Sequence, residues 1–271
     1  MTIDELKELL RYYDIVPRRE QGQNFLLDDS VVDASIDAAG VTKDDTVLEI
    51  GPGFGALTTK LCAAAGSVVA VEQDRVLAAG LAKQQALYPN LTVVNSDVRV
   101  VHLEEHGLHD LQYKLVANLP YSITSWIMRH FLEKTPRPKS MTVLVQKEVA
   151  ERMAAKPGSM SVLAVATQLY AIPTIVRLVP PESFYPAPKV DSAIIHLEMR
   201  ETALSKDPEA LMRLVNIGFA SRRKQLHNNI SSGLHIESAA AKEALEKAKL
   251  SPSARPQELS IEQWEELRSV L

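Results

Sequence analysis

Apolar and polar positions along this chain follow two different periods, and the switches between them mark out its elements. Leu6, Leu9, Leu10 and Tyr13 recur at helical spacing behind Thr2, which has Glu5 three positions on; this predicts a capped helix over residues 2–13, ended by Pro17. A polar stretch with one glycine follows from Arg18 and closes on the apolar anchor Phe25-Leu26-Leu27. Read locally, it is a linker tucked onto a domain. Residues 31–39 form a further short helix. Short runs dominated by apolar residues then appear at 46–50, 67–71, 91–94, 114–117 and 141–145, the pattern of strands largely covered on both faces. Helical spacing is found at 56–65, 123–133, 146–155 and 161–170. Residues 171–179 read as a strand interrupted at Pro173, and 191–199 alternate well enough to be the last strand. Between those two lies Pro180-Pro181-Glu182-Ser183-Phe184-Tyr185-Pro186-Ala187-Pro188. Its prolines remove donors and fix the backbone, so it is expected to be a stiff irregular loop carrying two aromatics. Beyond about residue 202 only helical patterns remain, at 208–220, 237–249 and 260–271.

Strands alternating with helices predict an α/β fold with a mostly parallel sheet, and the helical tail predicts a second, smaller domain. The boundary is placed near Arg200, giving domains 1–200 and 201–271. A chain of 271 residues is long enough for one full core and a small second one. An apolar fraction of 46% and a charged fraction of 24% are those of a soluble globular protein. No apolar run reaches the length needed to cross a bilayer, and the acid-bearing N-terminus lacks a signal core. Cys62 is the single cysteine, which excludes an intrachain disulfide and a cysteine-based metal cluster; the seven histidines have no paired spacing, so no metal is expected. A cytoplasmic setting fits. The net charge of −4 runs against the basic surplus of a typical nucleic-acid binder, although binding depends on local patches.

Candidate chemistry begins where the first buried strand runs into Gly51-Pro52-Gly53-Phe54-Gly55. Glycines there let the backbone approach a ligand, and the following helix presents free N–H groups. Glu72, about twenty positions on at the end of the next strand, suits the two hydroxyls of a ribose. NAD and S-adenosylmethionine both fit this much; the proline inside the turn and the acid Glu49 before it favour the latter. The next strand ends in Asn95-Ser96-Asp97, where a side chain can reach an adenine amino group, and the one after ends in Asn118-Leu119-Pro120-Tyr121. Strand ends at Glu72, Asp97 and Asn118 would line one crevice of an open parallel sheet.

The tetrapeptide suggests methyl transfer to an exocyclic amine. The lone pair of an adenine amino group is delocalised into the ring. Two acceptors aimed at its hydrogens, the Asn118 side-chain oxygen and the Leu119 carbonyl held before Pro120, would free that pair. Tyr121 offers a face for the base to stack on.

Five stretches together resemble the ribosomal RNA adenine dimethyltransferases of the bacterial small-subunit (KsgA) type: Gly22 to Leu26, Leu48 to Thr58, Asn118 to Tyr121, Gln146 to Val149 and Phe184 to Ser192. The resemblance implies a class I S-adenosylmethionine-dependent methyltransferase, with a Rossmann-like seven-stranded sheet and a C-terminal helical domain that contacts RNA. It implies dimethylation of N6 of two adjacent adenosines near the 3′ end of small-subunit rRNA, by a monomer acting on a 30S particle or its precursor. Carried over by position, Asn24, Leu26, Gly51, Gly53, Glu72, Asp97 and Asn118 border the donor. Asn118, Leu119, Pro120 and Tyr121 hold the target base, with Phe184 as a second stacking face. Arg18, Arg19, Arg222, Arg223 and Lys224 concentrate the basic surface for RNA. The chain departs from the family pattern at Ser122, where Asn is frequent, in a short loop at 156–161, and in its acidic net charge. Two other functions compete: adenine methylation of large-subunit rRNA of the macrolide-resistance type, and a non-catalytic rRNA-binding assembly factor.

Overall fold

The computed structural model describes residues 2–17, 23–221 and 223–271 of the chain. It divides into two compact units, the first of residues up to 150 with 174–199, the second of residues 151–173 with 200–271.

The first unit opens with helix α1 (Ile3–Tyr12), whose Thr2–Glu5 capping box satisfies two of its free N-terminal donors. Strand β1 (Phe25–Leu26) and helix α2 (Asp29–Ala39) follow. Three parallel strands come next, β2 (Thr46–Ile50), β3 (Ser67–Glu72) and β4 (Leu91–Asn95), with α3 (Ala56–Ala64) and α4 (Arg75–Ala82) between them. Strand β5 (Tyr113–Asn118) returns to the far side of β2, and α5 (Thr124–Glu133) leads to β6 (Ser140–Gln146) beside it. Helices α6 (Lys147–Met153) and α7 (Val162–Tyr170) lead on to β7 (Ala171–Val179). Strand β8 (Phe184–Tyr185) pairs antiparallel with β1, and β9 (Ser192–Met199) pairs antiparallel with β6. The seven-stranded sheet has the order β4-β3-β2-β5-β6-β9-β7. Strand order reverses between the parallel neighbours β2 and β5, so a crevice opens outside their carboxyl ends. Pro173 sits on the edge strand, where a missing donor is tolerated. The strands of the sheet centre are mostly buried, as their apolar character requires; β2 and β5 supply Val47, Leu48, Leu115 and Val116.

The second unit is helical. With α7 it contains α8 (Pro208–Gly218), α9 (Leu226–Leu234), α10 (Ser238–Lys247) and α11 (Ile261–Val270), packed around the fully buried Trp264. The sequence boundary near Arg200 gives 151–173 to the first domain, and here the structure differs. Ala164, Val165 and Leu169 of α7 pack into the same apolar cluster as Leu211, Leu226 and Trp264, so burial, not chain order, sets the division.

Two helices escape the sequence pattern. One is α4, short and followed directly by a 3₁₀ turn at Lys83–Ala86. The other is α9, whose sequence LHNNISSGL is poor in helix formers. Packing overrides propensity there: a Cβ on Gly233 would lie 2.4 Å from Ile217 Cγ2, so only glycine lets α9 approach α8 this closely. Among the described residues no helix is long and apolar enough to cross a membrane.

Candidate active site

Ten of the residues singled out in the sequence line one cavity of about 560 Å³ in the first unit: Asn24, Leu26, Gly51, Gly53, Glu72, Asp97, Asn118, Leu119, Pro120 and Tyr121. That size suits a nucleoside-bearing small molecule. Glu72 is the last residue of β3, Asp97 lies two residues past β4, and Asn118 is the last residue of β5. Three strand tips therefore deliver three polar side chains to one place.

The Gly-rich turn forms the floor. Gly53 holds φ +59°, and a Cβ there would come within 3.3 Å of the Phe25 ring. A side chain would thus meet both backbone strain and a wall. The Gly53 N–H donates to Glu72 Oε2 at 3.1 Å, and the Asp74 N–H donates to Glu72 Oε1 at 2.9 Å. These bonds tie the turn to the end of β3 and fix the carboxylate. An ionised carboxylate has about four acceptor sites, so capacity remains for a ligand's hydroxyls. Burial pushes the Glu72 carboxyl above its usual range, and the two N–H bonds oppose the rise. Helix α3 starts from Gly55 without a side-chain cap, and Ala56 and Leu57 of its first turn line the cavity. The first N–H groups of a helix have no intrahelical partner.

Glu49 sits on β2, buried, and accepts a 2.6 Å hydrogen bond from Thr58 Oγ1. Burial drives its carboxyl up to about 8; the Thr58 bond opposes this and the charge on Glu72 adds to it. Asp97 is gripped by the Arg99 guanidinium, with Nε at 3.0 and 2.9 Å from its two oxygens, and this holds its carboxyl below the usual range. With Glu49 protonated, three carboxylates, Glu72, Asp74 and Asp97, line the cavity against two guanidiniums, Arg75 and Arg99, a surplus of one negative charge. That surplus fits a cationic ligand.

The tetrapeptide forms the rim. Asn118 Nδ2 donates to the Asn24 carbonyl at 3.3 Å, so the carboxamide is oriented by the segment of residues 23–26 that lines the cavity. The Leu119 N–H donates to the Leu144 carbonyl at 3.2 Å, while the Pro120 carbonyl accepts from the Ile123 N–H and from Thr124 Oγ1, each at 3.1 Å. The peptide between Leu119 and Pro120 is thereby held on both sides. Tyr121 shares a 2.7 Å hydrogen bond with the buried Ser192 Oγ at the start of β9, and burial pushes its phenol up.

Phe184 is a correction. The sequence reading makes it a second stacking face, but it does not line the cavity; its ring is buried among Leu26, Val31 and Val32. Phe184 pairs with Leu26 across the β1–β8 ribbon, and paired residues share a face; Leu26 also reaches the cavity, whereas Phe184 stays within the core cluster. The other aromatic walls are Phe25 and Phe54, with ring centroids 5.2 Å apart. Phe54 was legible as the bulky residue inside the glycine turn; Phe25, Arg99 and Ser192 carried no separate signal. Arg223 and Lys224 are exposed in the helical unit before α9, whereas Arg18, Arg19 and Arg222 lie outside the described residues. Among the described residues no group of three metal-ligating side chains occurs.

A mostly parallel seven-stranded sheet with one antiparallel strand inserted, and a crevice at its switch point floored by a glycine turn and an acidic strand end, defines a class I S-adenosylmethionine-dependent methyltransferase fold. The chain belongs to the ribosomal RNA adenine dimethylase family, whose model matches residues 17–271. It is 40% identical over 265 residues to ribosomal RNA small subunit methyltransferase A of Dehalococcoides mccartyi, covering 97% of this chain and 91% of that one. It is 38% identical to the protein of the same name from Enterococcus faecalis, covering 100% and 95%. Among solved structures, it is similar to a dimethyladenosine transferase from Plasmodium falciparum, with TM-score 0.78, 27% identity and coverage of 90% and 95%. It is also similar to the 23S rRNA methyltransferase ErmE, with TM-score 0.74, 29% identity and coverage of 92% and 99%.

Proposed function

We propose that this chain transfers methyl groups from S-adenosylmethionine to N6 of two adjacent adenosines near the 3′ end of small-subunit rRNA. It does so as a cytoplasmic monomer acting on a 30S particle or its precursor. The observation that carries the reading is Asn118 to Tyr121 forming the rim of a cavity whose floor is the glycine turn. The cavity fits the donor in size, in its carboxyl surplus and in the acceptor capacity left on Glu72. The donor would supply an electrophilic methyl on a sulfonium sulfur, from which a neutral thioether is an excellent leaving group.

The protein's own residues bind and orient. Gly51, Gly53 and Glu72 hold the ribose side, Asp97 reaches the adenine end, and Asn24 and Leu26 cover the pocket. Asn118 Oδ1 and the Leu119 carbonyl accept the two N6 hydrogens of the target base and localise its lone pair, while the Tyr121 ring stacks on the base. The N6–carbon bond then forms as the carbon–sulfur bond breaks, its electron pair passing to sulfur. The resulting ammonium is acidic and gives its proton to water, so the site needs orientation more than a general base.

Because the Tyr121 hydroxyl is committed to Ser192, the ring is the working part. Tyr121→Phe is expected to keep kcat/KM for rRNA within about tenfold, the worth of one hydrogen bond. Tyr121→Ala loses the stacking face and is expected to lower it by about 10–100-fold. Steady-state kinetics on unmethylated 30S particles check both. Arg223 and Lys224 bind phosphates in this reading. The double change Arg223→Glu and Lys224→Glu is expected to reduce the slope of log K against log salt by roughly one unit for each phosphate no longer neutralised, measured by RNA binding at several salt concentrations.

The structural likeness to ErmE favours one second reading, large-subunit rRNA as substrate. Methylation of isolated 30S particles against 50S precursors, followed by mass spectrometry for dimethyladenosine, tests the choice. Label in 50S precursors alone overturns the small-subunit assignment.

A further inference from the structure

We propose that Trp126 and His130 form a second stacking platform, for a nucleotide that neighbours the target adenosine in the RNA strand; the inference rests on the rRNA-methyltransferase reading above. Helix α5 is anchored directly to the rim of the cavity. The Ile123 N–H and Thr124 Oγ1 both donate to the Pro120 carbonyl, and Ser122 and Ile123 still line the cavity. The helix buries Thr124, Ile127, Met128, Phe131 and Leu132. Its other side carries Trp126 and His130 four positions apart, one turn along the same face.

These two rings are stacked, with centroids 4.5 Å apart and planes 14° from parallel. His130 also meets the buried Phe131 edge-on at 5.1 Å, so the core braces the stack. Both members are half-exposed. Arg129 lies between them in sequence and is 81% exposed, with a 3.5 Å contact to Glu133; Lys134 is exposed one residue beyond the helix. Burial, helped by the Lys134 charge, pushes the imidazole below its usual range, so His130 is neutral and the platform is an uncharged π surface with cations beside it.

A flat aromatic surface flanked by exposed cations is how proteins hold single-stranded nucleic acid without reading its sequence. The place is apt. When a base leaves its stack to enter an enzyme's pocket, the neighbouring base loses a stacking partner. A platform in the first turns of the helix that leaves the rim replaces that partner and keeps the strand open. The occupant is therefore an unpaired RNA base, with Arg129 and Lys134 on its phosphates.

The chain has two tryptophans, and Trp264 is fully buried in the helical unit, so quenching of fluorescence by RNA reports on Trp126. Titrating the full-length protein with a short single-stranded oligoadenylate is expected to quench its emission, and Trp126→Phe to abolish the quenching. On unmethylated 30S particles, Trp126→Ala is expected to raise KM by about 10–100-fold, as loss of one stacked base does, with the donor dissociation constant unchanged. Trp126→Phe keeps a ring and should recover most of that loss. Wild-type protein that methylates 30S particles while Trp126→Ala shows the same KM, or while oligoadenylate leaves the emission unquenched, overturns the platform. Wild-type protein that fails to methylate any rRNA overturns the function reading instead.

Discussion

Asn118→Ala is expected to lower the single-turnover rate of methyl transfer by at least about 10²–10³-fold, the cost of removing one group that acts on charge developing in a transition state. Donor affinity should change by less than about tenfold, because the side chain is tied to the 23–26 segment by a single 3.3 Å bond from Nδ2 to the Asn24 carbonyl, and one neutral hydrogen bond is worth about 1 kcal/mol. The asymmetry follows from which end of the carboxamide does what. Nδ2 is spent on the Asn24 carbonyl, which fixes the orientation; in the proposed mechanism Oδ1 is the acceptor for the amine of the base. Removing both ends leaves the carbonyl of Leu119 as a lone acceptor, and one acceptor cannot pull both hydrogens out of the purine plane. Rapid-quench measurement with labelled donor gives the rate, and calorimetry gives the affinity. A variant that transfers at the wild-type rate rules out the clamp; one that no longer binds donor makes Asn118 a donor ligand first.

Much of this site was readable because it is built from strand ends. The period of an apolar run gives the strand, and in an open parallel sheet the residue at its carboxyl tip must face the crevice, so Glu72, Asp97 and Asn118 could be grouped before any coordinates. Phe184 shows the limit of such reasoning. Its neighbours say that the loop is stiff, but which side of the loop is buried depends on pairing with Leu26, more than 150 positions away, and no local pattern encodes that. The same holds for Ser192, whose use is to pin the Tyr121 hydroxyl across 71 positions. Helix α9 was missed for the opposite reason: its sequence argues against a helix, and the close approach of Gly233 to Ile217 supplies the stabilisation that propensity does not. The placement of α7 with the helical unit follows likewise from where Ala164, Val165 and Leu169 find cover.

Glu49→Gln is expected to stabilise the protein near neutral pH and to have little effect in acid. The wild-type carboxyl is buried on β2, with the Thr58 hydroxyl as its hydrogen-bond donor, Glu72 as the nearest like charge and the Cys62 thiol close enough to feel it. Its folded value is about 8 against a reference of 4.5. Below pH about 4.5 both folded and unfolded chains hold the proton, and burial costs nothing extra. Between about 4.5 and 8 the unfolded chain releases a proton that the folded chain retains, so stability falls as pH rises. Above about 8 both release it and the penalty is constant. At pH 7 the penalty is about 3 kcal/mol, from roughly 2.5 pH units at 1.36 kcal/mol each. Glutamine keeps an oxygen for Thr58 and cannot ionise, so it escapes this penalty, less whatever its amide N–H groups lose by burial. Each kcal/mol recovered raises the unfolding temperature of a chain this size by about 2–4 °C. The two proteins should therefore unfold together near pH 4.5 and diverge steadily towards pH 8, with the glutamine variant the more stable. A separation that does not change with pH would mean that Glu49 is ionised in the fold, with its charge balanced by a cation or by water reaching it from the cavity.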